Sequence, residues 1–227
     1  TKEGRAAVGN KNYGYFAGGG SSDTSHVDRL DYSNDTETCQ SRGLLDNSSP
    51  SNYKAASGNE HFGYISGGSP SQTFVDRLDY SSDTTECVTK GPLATGRYRH
   101  GATGSRNFGY HGGGTPGSGQ ISSIDRIDYT SDTSTAVAKG PLSAARSYVP
   151  GVSARQNALP VGDIIYSTVV TDSEYVSGTR NPLPDYGWFG GGYPGTTSRV
   201  DRIDFGNDTA TASVKGPLSQ ARAYLAA

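Results

Sequence analysis

DYGWFGGGYPGTTSRVDRIDFGNDTATASVKGPLS, from Asp185 to Ser219, is the stretch from which the fold is read, because the chain writes it three more times. The first copy reads NYGYFAGGG at 12–20 and HVDRLDYSNDT at 26–36; the second reads HFGYISGGSP at 61–70 and FVDRLDYSSDT at 74–84. The third reads NFGYHGGGTPG at 107–117 and SIDRIDYTSDT at 123–133. The tetrapeptide Asp-Arg-Leu/Ile-Asp begins at Asp28, Asp76, Asp125 and Asp201, at intervals of 48, 49 and 76 residues. A period near 50 residues with two-residue alternation belongs to radially repeated β-sheets, whereas helical solenoids mostly have shorter units and a 3.6-residue pattern. The expected fold is all-β: a propeller of four blades, each of four short antiparallel strands.

A repeat that fills 227 residues end to end predicts one quasi-symmetric domain over 1–227, with units at about 1–47, 48–95, 96–144 and 145–220. Hydrophobic residues make up 32%, with 32 Gly and 15 Tyr, a composition lean for a helical core but suited to short strands closed by tight turns. The 20 Lys+Arg against 22 Asp+Glu leave a net charge of −2, which provides no positive field for nucleic acid or an anionic membrane. No apolar run approaches the roughly 20 residues of a membrane span. The chain has no Met, which reads as a processed chain or a fragment.

In the third unit the strands are read as Arg97–Thr103 (A), Phe108–His111 (B), Ile121–Tyr129 (C) and Thr133–Ala138 (D). Along strand C, Val27, Arg29 and Asp31 share one face and Asp28, Leu30 and Tyr32 the other. Arg29, Arg77, Arg126 and Arg202, with Asp31, Asp79, Asp128 and Asp204, are read as structural, since an unpaired buried charge is too costly to repeat four times. Asx residues then supply a C–D turn, and Lys-Gly-Pro-Leu at Lys90, Lys139 and Lys215 carries the chain to the next blade. Cys39 and Cys87 fall at equivalent positions and read as two small buried thiols.

On these residues the chain resembles the kelch repeat. The glycine doublets Gly18-Gly19, Gly67-Gly68, Gly112-Gly113 and Gly190-Gly191 match that family's turn after strand B, and Tyr32, Tyr80, Tyr129 and Phe205 match its strand-C aromatic. The family's strand-D Trp is replaced by Cys39, Cys87, Ala136 and Ala212. The wording, VDRLDYSNDT at 27–36 with Lys-Gly-Pro-Leu after it, is similar to kelch-like arrays in tail-fibre and other virion proteins of marine cyanophages. That resemblance implies a non-enzymatic binding or structural propeller, in a virion or extracellular, without cofactor, joined to protein partners of a larger assembly and to a cell-surface glycan or receptor. The rival readings are a cytoplasmic kelch-type adaptor and a propeller enzyme, either glycan-active or a copper-radical oxidase.

The residues themselves point to little catalytic chemistry. His26, His61, His100 and His111 stand at unlike positions without HExxH or CxxC spacing and read as solvated or turn-lining. Asp31, Ser33 and Asp35 offer alternating oxygens but no bending Gly or closing Glu, so turn capping is the better account than Ca²⁺. Two irregularities remain. An insertion between strands A and B of the fourth unit, about 157–185, reads as a hairpin whose Ile165, Tyr166, Val169 and Tyr175, with Trp188 and Tyr193, are the candidate partner-contacting residues. Residues 222–227 repeat strand A once too often, so the ring is expected to close only with help.

Overall fold

The structure is a computed structural model that describes residues 4–19, 25–46, 52–153 and 185–224. Among the described residues sixteen strands form four separate four-stranded antiparallel sheets, each in simple sequence order. Blade 1 holds β1 (Ala6–Gly9), β2 (Tyr13–Ala17), β3 (His26–Asp31) and β4 (Gln40–Leu44); blade 2 holds β5 (Ala55–Gly58), β6 (Phe62–Ser66), β7 (Val75–Asp79) and β8 (Val88–Thr89). Blade 3 holds β9 (Gly101–Gly104), β10 (Phe108–Gly112), β11 (Ile124–Asp128) and β12 (Val137–Lys139); blade 4 holds β13 (Gly151–Ser153), β14 (Tyr186–Gly190), β15 (Val200–Asp204) and β16 (Ser213–Lys215). This is the all-β, four-bladed propeller-like architecture the repeat predicts. Among the described residues the single helical element is a 3₁₀ turn at Phe205–Asn207, and no helix is long and apolar enough to cross a membrane.

The strands begin and end differently from the reading. Strand A of blade 3 starts at Gly101 and not at Arg97, because Arg99 takes a left-handed φ of 56° that an extended strand cannot contain. Strand C spans Ile124–Asp128, and strand D starts at Val137 because the turn after Asp128 runs on through Ser134. The hairpin and its Ile165, Tyr166, Val169 and Tyr175 lie outside the described residues, as do 225–227 of the extra strand.

In blades 2 and 3 the two inner strands are the most buried and the outer ones the most exposed: β9 is buried throughout, whereas both residues of β8 are exposed. In blade 4 all three residues of the outer β16 are exposed while the buried positions fall on β14 and β15. The inner strands pack in series, β1 on β5, β5 on β9 and β9 on β13, while β13 does not pack on β1 in this way. Each blade-to-blade joint has its own apolar core. Tyr15, Leu45, Ile65 and Tyr80 lie between blades 1 and 2; Tyr64, Leu93, Ile127 and Ala136 between 2 and 3; Tyr110, Leu142, Ile203 and Phe205 between 3 and 4.

The joints repeat one device. The strand-B tyrosine stacks on the strand-C aromatic of the following blade: Tyr15 on Tyr80 at 5.0 Å, Tyr64 on Tyr129 at 4.5 Å and Tyr110 on Phe205 at 4.6 Å between ring centres. Its hydroxyl donates to the C–D turn aspartate of that blade, Asp83, Asp132 or Asp208, at 2.9 to 3.0 Å. The strand-C arginine donates to the same carboxylate oxygen: Arg29 to Asp83 and Arg77 to Asp132 at 2.8 Å, and Arg126 to Asp208 at 2.7 Å. The cation before the crossover glycine reaches the other oxygen, Lys90 to Asp132 at 3.3 Å and Lys139 to Asp208 at 3.1 Å. Arg42 reaches Asp83 at 3.7 Å. A hidden charge with this many donors is tolerable because its lone pairs are filled. Arg29, Arg77 and Arg126 therefore pair with the following blade's turn aspartates, whereas Arg202, read from the sequence as paired like them, has no carboxylate partner among the described residues. Asp31, Asp79, Asp128 and Asp204 each cap their own C–D turn through the backbone N–H two residues on.

The crossover glycines Gly43, Gly91 and Gly140 close each joint. Their N–H groups donate to the carbonyls of Asp83, Asp132 and Asp208 at 2.7 to 2.8 Å, and a Cβ there would collide with the carbonyl oxygens of Thr85, Ser134 and Ala210. Only glycine lets the two backbones approach so closely. Cys87, Ala136 and Ala212 are buried under the same joints, but Cys39 is exposed, because among the described residues no blade packs on that side of blade 1. The pair of buried thiols read from the sequence is thus one buried and one exposed.

Candidate functional site

The B–C loops of blades 2, 3 and 4 are each tied to the segment that follows strand D of the same blade, so these two sets of connections form one face. Gly68, Gly114 and Gly192 donate N–H groups to the carbonyls of Arg97, Arg146 and Arg222. The glycine pairs with positive φ are Gly18-Gly19, Gly67-Gly68, Gly113-Gly114 and Gly191-Gly192. In blades 3 and 4 the turn therefore lies one residue later than the doublets assigned from the sequence, since Gly112 and Gly190 are the last residues of β10 and β14.

Two buried arginines brace this face. Arg97, fully buried, pairs with Asp125 at 2.9 Å and donates to the carbonyls of Ser123 and Gly113 at 2.8 and 3.1 Å. Arg146 pairs with Asp201 and donates to the carbonyl of Gly191, both at 2.7 Å. Burial lowers the pKa of both guanidiniums, and the facing carboxylates oppose that shift.

At the inner rim the backbone forms a ladder from blade to blade: Tyr53 N–H donates to Gly4 O, Arg99 N–H to Tyr53 O and Tyr148 N–H to Arg99 O, at 2.9, 3.1 and 2.6 Å. Tyr53, Arg99, Tyr148 and Tyr224 all hold φ between 53° and 61°. Left-handed backbone at four non-glycine residues costs of order 1 kcal/mol each and collects where the surroundings over-determine it, commonly at functional sites. The side chains gather into one cluster. The Arg99 guanidinium lies over Tyr53, Tyr98 and Tyr148 at 4.8, 4.8 and 4.7 Å from the ring centres, and Tyr224 lies 4.1 Å from Tyr148. Arg99 Nε is buried and takes no hydrogen bond among the described residues. Tyr224 is 67% exposed and Tyr53, Tyr98, Arg99 and Tyr148 are partly so, giving a wet aromatic surface with a cation set into it.

Of the candidate contact residues within the described chain, Tyr193 belongs to this face: it bridges Ser147, beside Tyr148, and is 42% exposed. Trp188 does not. It lies in β14 opposite Arg202, at the position where the other blades have Tyr15, Tyr64 and Tyr110. The sequence reading missed the cluster because its members fall in crossovers, outside the strand motifs that were compared; the signal is a register, Arg99, Tyr148 and Tyr224 each standing nine residues past the lysine of Lys-Gly-Pro-Leu and Tyr53 eleven past Arg42 of the looser first copy.

His100 and His111 are buried, which corrects their reading as solvated or turn-lining. His111 stands in the slot that Phe16, Ile65 and Phe189 fill in the other blades, a core position visible once the copies are aligned. Its two ring nitrogens meet Ser66 Oγ at 2.7 Å and Ser57 Oγ at 3.0 Å, and His100 Nε2 meets the same Ser66 at 3.1 Å. Burial, with Arg97 second, pushes His111 down to about 3; burial, His111, Arg97 and Lys54 lower His100 well below the usual histidine range. Both rings are neutral parts of the joint between blades 2 and 3. Among the described residues no three His, Cys, Asp or Glu side chains gather to hold a metal ion.

The solved structure of YjhT is similar in shape. It matches with a TM-score of 0.66 at 12% identity, over 99% of this chain and 73% of that one, a likeness that shows the fold alone. No family model and no curated protein matches the sequence.

Proposed function

We propose that the chain is a non-enzymatic binding propeller, part of a virion appendage or another exposed assembly, whose ligand seats on the face formed by the B–C loops and crossovers. The observation that carries this reading is the cluster of Tyr53, Tyr98, Arg99, Tyr148 and Tyr224 on a hydrogen-bonded ladder that spans the blades. Tyrosine and arginine supply large rigid contact area with polar tips, the types that dominate binding energy at interfaces. Tyrosine faces also suit the C–H surface of a sugar, and a guanidinium donates in a fixed fork to hydroxyl or carboxylate oxygens, so a cell-surface glycan is the ligand class that fits. The repeat wording at 27–36 and after strand D supports placement in a virion fibre.

The test is binding to a glycan panel and to host-cell surfaces. The Arg99→Asn variant keeps a residue tolerant of left-handed φ. It should lose at least tenfold in affinity with an unchanged melting temperature. Undiminished binding would place the contact elsewhere, and chemical turnover of a panel member would favour an enzyme.

A further inference from the structure

Three joints use both halves of one interlocking set, and the two ends of the array each display a half that is not in use. On blade 1 the receiving half is bare. Tyr32, equivalent to the stacked Tyr80, Tyr129 and Phe205, is 51% exposed, and Asp35, equivalent to the buried Asp83, Asp132 and Asp208, is exposed without a partner among the described residues. On blade 4 the giving half, with Trp188 and Arg202 half-buried, has no receiving aspartate or stacked strand-C ring among the described residues. Trp188 stands at the tyrosine position with an indole N–H in place of the hydroxyl, and Arg202 has no ion pair among the described residues, lying only over its own blade's Tyr186 at 4.0 Å. Lys215, equivalent to Lys90 and Lys139, is exposed, and a Cβ on Gly216 would meet nothing within 4 Å, unlike one on Gly43, Gly91 or Gly140.

We infer that this chain associates head to tail with a second copy of itself, blade 4 of one copy receiving blade 1 of the next. The charges match: half-buried Arg202 and exposed Lys215 stand at one end and exposed Asp35 at the other, as Arg126 and Lys139 meet Asp208 inside the array. The rings match as well, Trp188 seating on Tyr32 as Tyr110 seats on Phe205. The joint is heterologous, so two copies close a ring if the rotation allows and otherwise extend into a filament. Two copies carry eight blades, within the range over which propeller rings close.

Sedimentation of the intact chain over about a hundredfold concentration range tests this. The mass should rise with concentration to a dimer or beyond. Asp35→Arg and Arg202→Asp should each weaken association at least tenfold while leaving the chain folded, because neither residue has a charged partner among the described residues. Mixing those two variants places opposite charges across both joints, the native pair at one and the reversed pair at the other, and should return a heterodimer. A monomer at every concentration, association unaffected by either substitution, or a mixture that stays monomeric would overturn the inference; the first would assign the bare ends to further blades or another partner.

Discussion

Asp132→Ala is expected to cost about 3–5 kcal/mol of folding stability, the usual penalty for leaving charged partners of a buried pair unmatched. Three groups lose their acceptor at once: the Tyr64 hydroxyl at 3.0 Å, Arg77 at 2.8 Å and Lys90 at 3.3 Å. For a chain of this size that loss lowers the melting temperature by roughly 10 °C. Asp35→Ala, the same substitution at the same repeat position, should change it hardly at all, since Asp35 is exposed and unpaired within the described chain. Thermal unfolding of the two variants side by side checks this, and equal losses would mean that the carboxylates act within their own turns. Burial pushes the Asp132 carboxyl up, but Tyr64, Lys90 and Arg77 outweigh it and hold the pKa below the usual carboxylate value. The stabilisation is therefore present above about pH 4, the unfolded pKa, and lost as pH falls through the lower folded one.

The second large effect is a loss of stability in mildly acidic solution. His100 and His111 are held neutral in the folded protein, with His111 at about 3, so the unfolded chain binds the additional protons. A group whose folded pKa is lowered from about 6.5 leaves stability unchanged above that pH and removes it as pH falls below. Between pH 7 and pH 5 His111 should remove about 2 kcal/mol, well before the aspartates are protonated, and His100 acts in the same direction. Denaturant unfolding at the two pH values measures the drop. His111→Phe, which restores the residue type of Phe16 and Phe189, should make the drop smaller by about the His111 contribution. An identical drop in that variant would show that other groups bind the protons.

The blades were legible because their signals are local: a 48- or 49-residue spacing, glycines where φ must be positive, and alternation along Val27 to Asp31. That Arg29 and its equivalents need carboxylate partners was also legible from the cost of repeating a buried charge. Their identity was not, because Asp83 is 54 residues from Arg29 and Asp208 is 82 from Arg126, and only the stacking of blades brings them together. The exposed Cys39 shows the same limit from the other side. Its repeat position is a buried one in the other copies, and the lack of a described blade packed on that side of blade 1 is what uncovers it. The Tyr53–Arg99–Tyr148 cluster depends on three crossovers meeting at the inner rim, so no single stretch of sequence announces it.

A double-mutant cycle on Arg77 and Asp132 tests most directly the claim that the fold is one joint repeated. Unfolding free energies of Arg77→Ala, Asp132→Ala and the double variant should give a coupling of at least about 1 kcal/mol, as for residues sharing a buried ion pair. The same cycle on Arg29 and Asp35, the corresponding residues within a single blade, should give none. No coupling in the first cycle, or equal coupling in the second, would contradict the account.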